Sequence, residues 1–228
     1  MSDNKKIEIL NATAESKQQL AYQQLKKDLL NNTYPEGTVL AERKLCEIYN
    51  VSRSPIRNAI QQLTYEGLLT VVPGKGVTVA GFSIEDILEV YDLIEVLQLY
   101  AIRSLSSRID AYFLGFLNTA LVKMKQYIDE GNLTKASGCD RQFHQFLITS
   151  SSNKRLASMY EQLDVQNIRF AAATGEDLEL SQRSYQEHLA IYEHLKNNNL
   201  EEAQTCLQAH YKNIKQYYVD KLISRIQI

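Results

Sequence analysis

All three prolines of this 228-residue chain, Pro35, Pro55 and Pro73, fall before Gly74, and none follows it. A proline inside a helix removes a backbone donor and clashes with the turn before it, at a cost of about 3 kcal/mol. Its absence from residues 74–228, together with apolar residues recurring at a 3.6-residue period, predicts long helices there. The front part is punctuated differently. An amphipathic helix is expected over Lys17 to Leu30, with Leu20, Leu25 and Leu29 inward, and Asn31 to Gly37 breaks it. A short helix follows near Ala41–Tyr49, then a turn at Asn50-Val51-Ser52. A further helix runs to about Glu66, with Ser52 as its N-cap and Pro55 in its first turn. Leu68–Val72 and Val77–Ala80 are β-prone runs around Pro73-Gly74-Lys75-Gly76, which reads as a hairpin.

The boundary between the two parts falls near Gly81–Ser83, where Ser83 can cap a new helix ahead of Ile84-Glu85-Asp86. The expected organisation is therefore a domain over 1–81, with an ordered core of about 17–80, and an all-helical domain over 82–228. The rear helices are expected near 84–107, 110–130, 133–149, 154–172, 177–197 and 200–225. The fold class is mainly α: a winged helix-turn-helix followed by a bundle of about six helices.

Composition bounds this picture without deciding it. Apolar residues make up 44% and charged residues 23%, enough for real cores. The net charge is −2, divided as +2 over residues 1–80 (ten Lys/Arg, eight Asp/Glu) and −4 over the rest (fifteen, nineteen). A mildly basic front and an acidic rear suit a nucleic-acid reader joined to something else. Cys46, Cys139 and Cys206 are odd in number and far apart, which argues against a disulfide scaffold or a thiolate zinc site. No apolar run reaches membrane-spanning length and MSDNKKIEIL is too polar for a secretory signal, so a cytoplasmic protein with no membrane partner is expected.

The polar start of the third helix is what makes the front domain a DNA reader. Ser52, Arg53, Ser54 and Arg57 lie in its first turn and a half. The N-terminal end of a recognition helix meets base edges, where arginine can bond guanine O6 and N7 together. Hydroxyls there can reach phosphates beside the exposed N–H groups of the helix start. Arg43 on the preceding helix can join them. Lys75, between Gly74 and Gly76 at the hairpin tip, sits where a backbone can approach DNA closely. Two arginines four apart are common on solvated helix faces; it is the whole constellation that points to DNA.

Tyr34-Pro35-Glu36-Gly37-Thr38-Val39-Leu40-Ala41-Glu42-Arg43-Lys44-Leu45, then Val51 to Ile60, Leu63, Glu66-Gly67-Leu68-Leu69 and Gly74-Lys75-Gly76, resemble in order the N-terminal domain of GntR-family bacterial regulators. The resemblance covers about residues 17–80. It implies DNA contacts at the positions of Arg43, Arg53 and Arg57, assisted by Ser52, Ser54 and the wing from Gly74 to Gly76.

In the rear domain Asp140 and His144 are four apart on a helix and share a face. His188 and His210 lie eleven residues on either side of Asn199, so an antiparallel helix pair joined there sets them at one height. These four can converge in a bundle interior, where facing helices build metal sites. Three imidazoles and a carboxylate suit zinc, nickel or a similar divalent ion. His194, about 240° around the helix from His188, is read as a surface or packing residue. Any single histidine here reads better as a satisfied core or surface residue, and only the register and symmetry of the set favour a site, whose ion could be purely structural.

Asp140-Arg141-Gln142-Phe143-His144, Asn153, Glu187-His188 with Ile191, and Ala203 to His210 resemble the FCD effector domain of the FadR subfamily over about residues 83–222. The resemblance implies a metal held at Asp140, His144, His188 and His210 with a small organic acid beside it. One departure stands out: Ile94 and Gln98 occupy positions where the family commonly has an Arg and a Glu, and that Arg often helps hold a carboxylate. Arg141 and Arg169 are the remaining candidate anion partners. Tyr91, Tyr100, Tyr211, Tyr217 and Tyr218 are read as packing residues. Ile84, Ile87, Leu88, Tyr91, Ile94 and Ile102 are read as a core stripe, with Leu93, Val96 and Leu99 widening it towards burial in the bundle or a dimer contact.

The expected function is a ligand-responsive transcription regulator, not an enzyme: a homodimer on an inverted-repeat operator in double-stranded DNA, releasing it when a small-molecule effector binds. Two other readings compete. A metal-dependent enzyme could use Asp140 and the histidines to activate water, but lacks a positioned base or nucleophile. An architectural DNA-binding protein would keep the bundle for structure alone.

Overall fold

A computed structural model describes residues 14–226, apart from Ser107 and Glu176. The MSDNKKIEIL segment, and with it the first part of the domain expected over 1–81, lies outside the described residues. The chain divides into two compact units, Met1–Phe82 and Ser83–Ile228.

In the first unit α1 (Ala14–Leu30), α2 (Glu42–Tyr49) and α3 (Arg53–Tyr65) precede a hairpin of β1 (Leu69–Val72) and β2 (Gly76–Val79). α3 packs on α1, α2 and β1. Leu25, Leu45, Ile56, Leu63, Leu68 and Leu69 form its sealed core. Leu20 is only half-buried, and Ala21 takes the fully inward position beside Leu25. Between α2 and α3, Asn50 takes the left-handed conformation (φ 55°, ψ 48°) and its N–H bonds Cys46 O. An asparagine tolerates that conformation well, which makes the tight turn possible. Ser52 stands at the N-cap of α3, but its side chain makes no capping bond, contrary to expectation; its hydroxyl is left exposed.

The hairpin pairs antiparallel with Leu69 opposite Val79 and Val72 opposite Gly76. Gly74 (φ 78°) and Gly76 (φ 90°) supply the left-handed residues its turn needs. The segment before α2 also joins the wing: Leu40 N–H bonds Val77 O, and Gly37 N–H and Thr38 O bond Val79. That third pairing carries no local signature. A clamp closes the helices: Tyr22 Oη–H donates to Glu66 Oε1 (2.5 Å) and Lys26 Nζ pairs with Glu66 Oε2 (2.8 Å).

The second unit contains α4 (Ile84–Arg103), α5 (Ala111–Asp129), α6 (Leu133–Ser150), α7 (Lys154–Thr174), α8 (Leu178–Lys196) and α9 (Leu200–Ile226). α4 begins with a full capping box, Ser83 accepting from Asp86 N–H while the Asp86 carboxylate accepts from Ser83 N–H. It ends at Arg103, short of the expected 107. α9 packs on α8 and α4, α5 on α6 and α8, and α6 also meets α4, α7 and α8. Ile87, Tyr91, Ile94 and Ile102 are buried as expected, and Tyr91 packs against Phe170, Tyr211 and Tyr218. Leu88 and Tyr100 are exposed, so they do not belong to that core. Leu93 and Val96 share that exposure, at 53% and 61%. Among the described residues no helix is long and apolar enough to cross a membrane.

Candidate nucleic-acid interface and candidate metal centre

On the first unit Ser52, Arg53, Ser54 and Arg57 are all exposed on the opening turns of α3, as are Arg43 on α2 and Gly74, Lys75 and Gly76 on the wing. Ile56, Ala59, Ile60 and Leu63 anchor α3 on its other face, so the fold leaves the polar face free by default. The arginines are not idle. Arg57 Nε–H donates to Glu42 Oε2 at 2.9 Å, and Arg43 Nε–H to Glu47 Oε1 at 3.3 Å. Both pairs are solvent-exposed and hold little energy, about 0–1 kcal/mol. Either guanidinium can exchange its carboxylate for a phosphate or a base edge at small cost. Glu42 was not legible as a partner of Arg57, because the pair crosses from α2 to α3.

In the second unit the structure brings His144, His188 and His210 together, with one nitrogen of each inside a 4.8 Å cluster. They come from α6, α8 and α9. His188 is fully buried, and His210 and His144 are 2% and 5% exposed. His188 Nε2 and His210 Nε2 stand 3.4 Å apart across the α8–α9 pair. The Nδ1 atoms face other partners. His144 Nδ1–H donates to Gln98 Oε1 at 2.9 Å, with the Tyr211 hydroxyl 3.3 Å from the same nitrogen. His210 Nδ1–H donates to Glu187 Oε2 at 2.6 Å. His188 Nδ1 makes no hydrogen bond, and Asp140 Oδ1 is 3.6 Å away. Phe143 stacks on the His188 ring at 4.7 Å and fixes its plane.

The electrostatics follow from burial. Desolvation, helped by the neighbouring histidines, holds His144 and His188 well below the usual imidazole range, so both are neutral and their lone pairs available. Burial pushes the Asp140 carboxyl up to about 6, reinforced by Asp164 and Glu187 and opposed by His210 and Arg141. Burial also raises Asp164, against the pull of Arg141 and Asn167.

These residues fit a divalent metal. Two nitrogens each ~2.05 Å from a tetrahedral zinc stand roughly 3.3–3.4 Å apart, which matches the His188–His210 pair. The donor set, three imidazoles with a carboxylate beside them, is borderline-soft and suits zinc or nickel. Asp140 lies beside the cluster rather than inside it, against His188. Arg141 is half-buried, and its Nε has no hydrogen-bond partner. Arg169 bonds Gln166 along its own helix at 3.2 Å. Ile94 is sealed in the core, where an arginine would have to bury its charge. Sequence reasoning names Gln98, Glu187 and Tyr211 without assigning them to this centre, and each contacts one of its rings. The Gln98 and Glu187 contacts join positions 46 and 23 residues apart, and no local pattern encodes them.

Residues 17–79 match the family described as bacterial regulatory proteins, gntR family, and residues 89–213, more than half of the chain, match the FCD domain. The chain is 28% identical over 195 residues to the HTH-type transcriptional regulator YdhC of Bacillus subtilis (strain 168), covering 84% of this chain and 86% of that one. It is 24% identical over 208 residues to the HTH-type transcriptional repressor RspR of Escherichia coli (strain K12), covering 91% and 90%. Among solved structures, the transcriptional regulator GntR from Rhodococcus sp. RHA1 superposes with a TM-score of 0.79 at 20% identity, covering 90% of this chain and 98% of that one. That likeness concerns the fold.

Proposed function

The chain belongs to the gntR family of bacterial regulatory proteins and carries an FCD domain, and from this premise we propose that it is a metal-bearing repressor that releases its operator on binding a small organic acid. It is a DNA-binding transcription regulator, and its relatives are regulators rather than enzymes. In the proposal, the unit over residues 1–81 reads DNA through Arg53 and Arg57 at base edges. Arg43, Ser52, Ser54 and the wing residues Gly74, Lys75 and Gly76 hold the backbone. The unit over 82–228 holds a divalent metal at His144, His188 and His210, with Asp140 moving in from beside His188 to complete the set, and the acid binds beside it.

One observation carries the sensing half: three imidazoles are sealed together in the bundle core, and His188 Nδ1 has no hydrogen-bond partner. Burying polar rings costs free energy unless something is bound or bonded to them, and the His188–His210 pair faces nitrogen to nitrogen. Arg141, with its unpartnered Nε beside Asp140 and Asp164, supports an acidic ligand at this end; Arg169, tied to Gln166, contributes less. The name of the relative RspR supports repression. A single recognition helix spans too short a site for useful specificity, so the regulator acts as a homodimer on an inverted repeat. Leu93, Val96 and Tyr100 (53%, 61% and 50% exposed) share one face of α4 and are the surface proposed for that contact. The protein acts in the cytoplasm, where its operator is.

The test is a fluorescence-anisotropy titration with a DNA site selected from a random library. Zinc-loaded protein should hold the site and lose it on addition of at least one member of a panel of small carboxylates. Indifference to zinc and to every acid would favour the architectural alternative. Elemental analysis supplies the other arm: purified protein should carry about one metal per chain and His144→Ala little. A metal-free wild type would end the metal part of the proposal.

A further inference from the structure

We propose that Glu187 is a positioning residue of the metal centre, setting the proton and the donor strength of His210 without itself being a ligand; this rests on the metal reading given above. Glu187 precedes His188 on α8. Adjacent residues on a helix point about 100° apart, so Glu187 cannot share the direction of its neighbour and instead reaches across to α9. Both of its oxygens are used there. Oε2 accepts Nδ1–H of His210 at 2.6 Å, and Oε1 accepts from Asn213 Nδ2 at 2.7 Å. His210 and Asn213 are three residues apart, on one face of α9, so the carboxylate is clamped twice by the same helix. Its side chain is only 16% exposed, which strengthens both bonds.

A carboxylate can only accept from an imidazole, so His210 Nδ1 carries the proton of this contact, and Nε2, the atom facing His188, is the nitrogen left to bind a metal. The other two rings have weaker partners: His144 has the neutral amide of Gln98, and His188 has Asp140 beyond hydrogen-bond reach at 3.6 Å. Carboxylate-backed imidazoles are the better metal donors. α8 therefore supplies one ligand and, through the residue before it, locks the ligand of α9. His210 is the strongest of the three donors because of Glu187.

The experiment strips full-length protein of metal and titrates zinc against a chromophoric chelator, comparing wild type with Glu187→Gln. Both should bind one zinc per chain, the variant about 10–100-fold more weakly. Imidazole nitrogen NMR of the zinc-free proteins should show His210 as the single Nδ1–H tautomer in wild type and as a mixture in the variant; a merely structural bond would move stability and leave the tautomer alone. Equal zinc affinity in the two proteins overturns the role of Glu187 while leaving the metal centre standing. A wild type that binds no zinc overturns the metal reading and this proposal with it. Should Glu187→Gln fail to fold, Asn213→Ala, which releases one oxygen of the clamp, should weaken zinc several-fold, and an unchanged affinity would overturn the proposal.

Discussion

Arg57 and His188 sit at opposite extremes of solvation, and each has a measurable consequence. Arg57 is exposed and tied to Glu42 in a solvent-exposed pair, so its removal barely touches folding. Arg57→Ala and Arg53→Ala should each weaken operator binding by about 1–3 kcal/mol and relax specificity at one base position. Stability should change by less than about 0.5 kcal/mol. Anisotropy at two salt concentrations with a parallel urea titration checks both, and unchanged affinity at low and high salt would sink the assignment. His188 and His144 are the reverse case. Their folded pKa values lie well below 6.5, so below about pH 6.5 the unfolded chain binds more protons than the folded one. Stability of the zinc-free protein is fully present above that pH and falls on acidification, by up to ~1.4 kcal/mol per pH unit per histidine. Asp140, raised from 3.8 to about 6, works in the opposite direction below pH 6. Two histidines outweigh one carboxyl, so the net loss should set in as pH drops through 6.5 and continue below 6, read by urea unfolding at a series of pH values. A flat profile through that window would show that the two rings are not buried neutral.

At the scale of elements, the capping box that opens α4 is the clearest local determinant. Ser83→Ala removes the side-chain acceptor for Asp86 N–H and should cost about 1 kcal/mol in urea unfolding; no change would mean that packing alone fixes the start of α4. Such signals explain what was legible in the sequence. Gly131-Asn132 and Asn197-Asn198-Asn199 break the periodic pattern, and the rear helices end within a few residues of where those breaks put them. The hairpin followed from Gly74 and Gly76 in the same way. What local pattern could not reveal was side-chain traffic between elements. Ser52 has the composition of a cap and does not act as one. Leu88 fits the 3.6-residue period yet faces out, because α4 is apolar on more than one side and period alone cannot choose among its faces. Helical register placed His144, His188 and His210 together, but Gln98 and Glu187 joined them only through packing.

Over the whole molecule, regulation requires that an event in the helical bundle change how the DNA-reading unit is used. A ligand can shift that equilibrium only by its differential affinity for two states, commonly 1–3 kcal/mol. A dimer is part of this scheme. Val96→Glu, at a position 61% exposed on the apolar face of α4, should convert the protein to a monomer in sedimentation velocity and leave its folding intact. The monomer should bind a half-site as before and lose the affinity that two linked half-sites provide. A dimeric Val96→Glu protein would move the contact to another surface.

The central claim is that the buried histidine centre senses an acid and that the DNA-reading unit responds. The direct measurement is operator affinity for zinc-loaded wild type and for His188→Gln, each titrated with the same panel of small carboxylates. At least one acid should weaken wild-type binding by tenfold or more, about 1.4 kcal/mol, while His188→Gln still binds the operator and does not respond to that acid. The same response in both proteins, or no response in either, would contradict it.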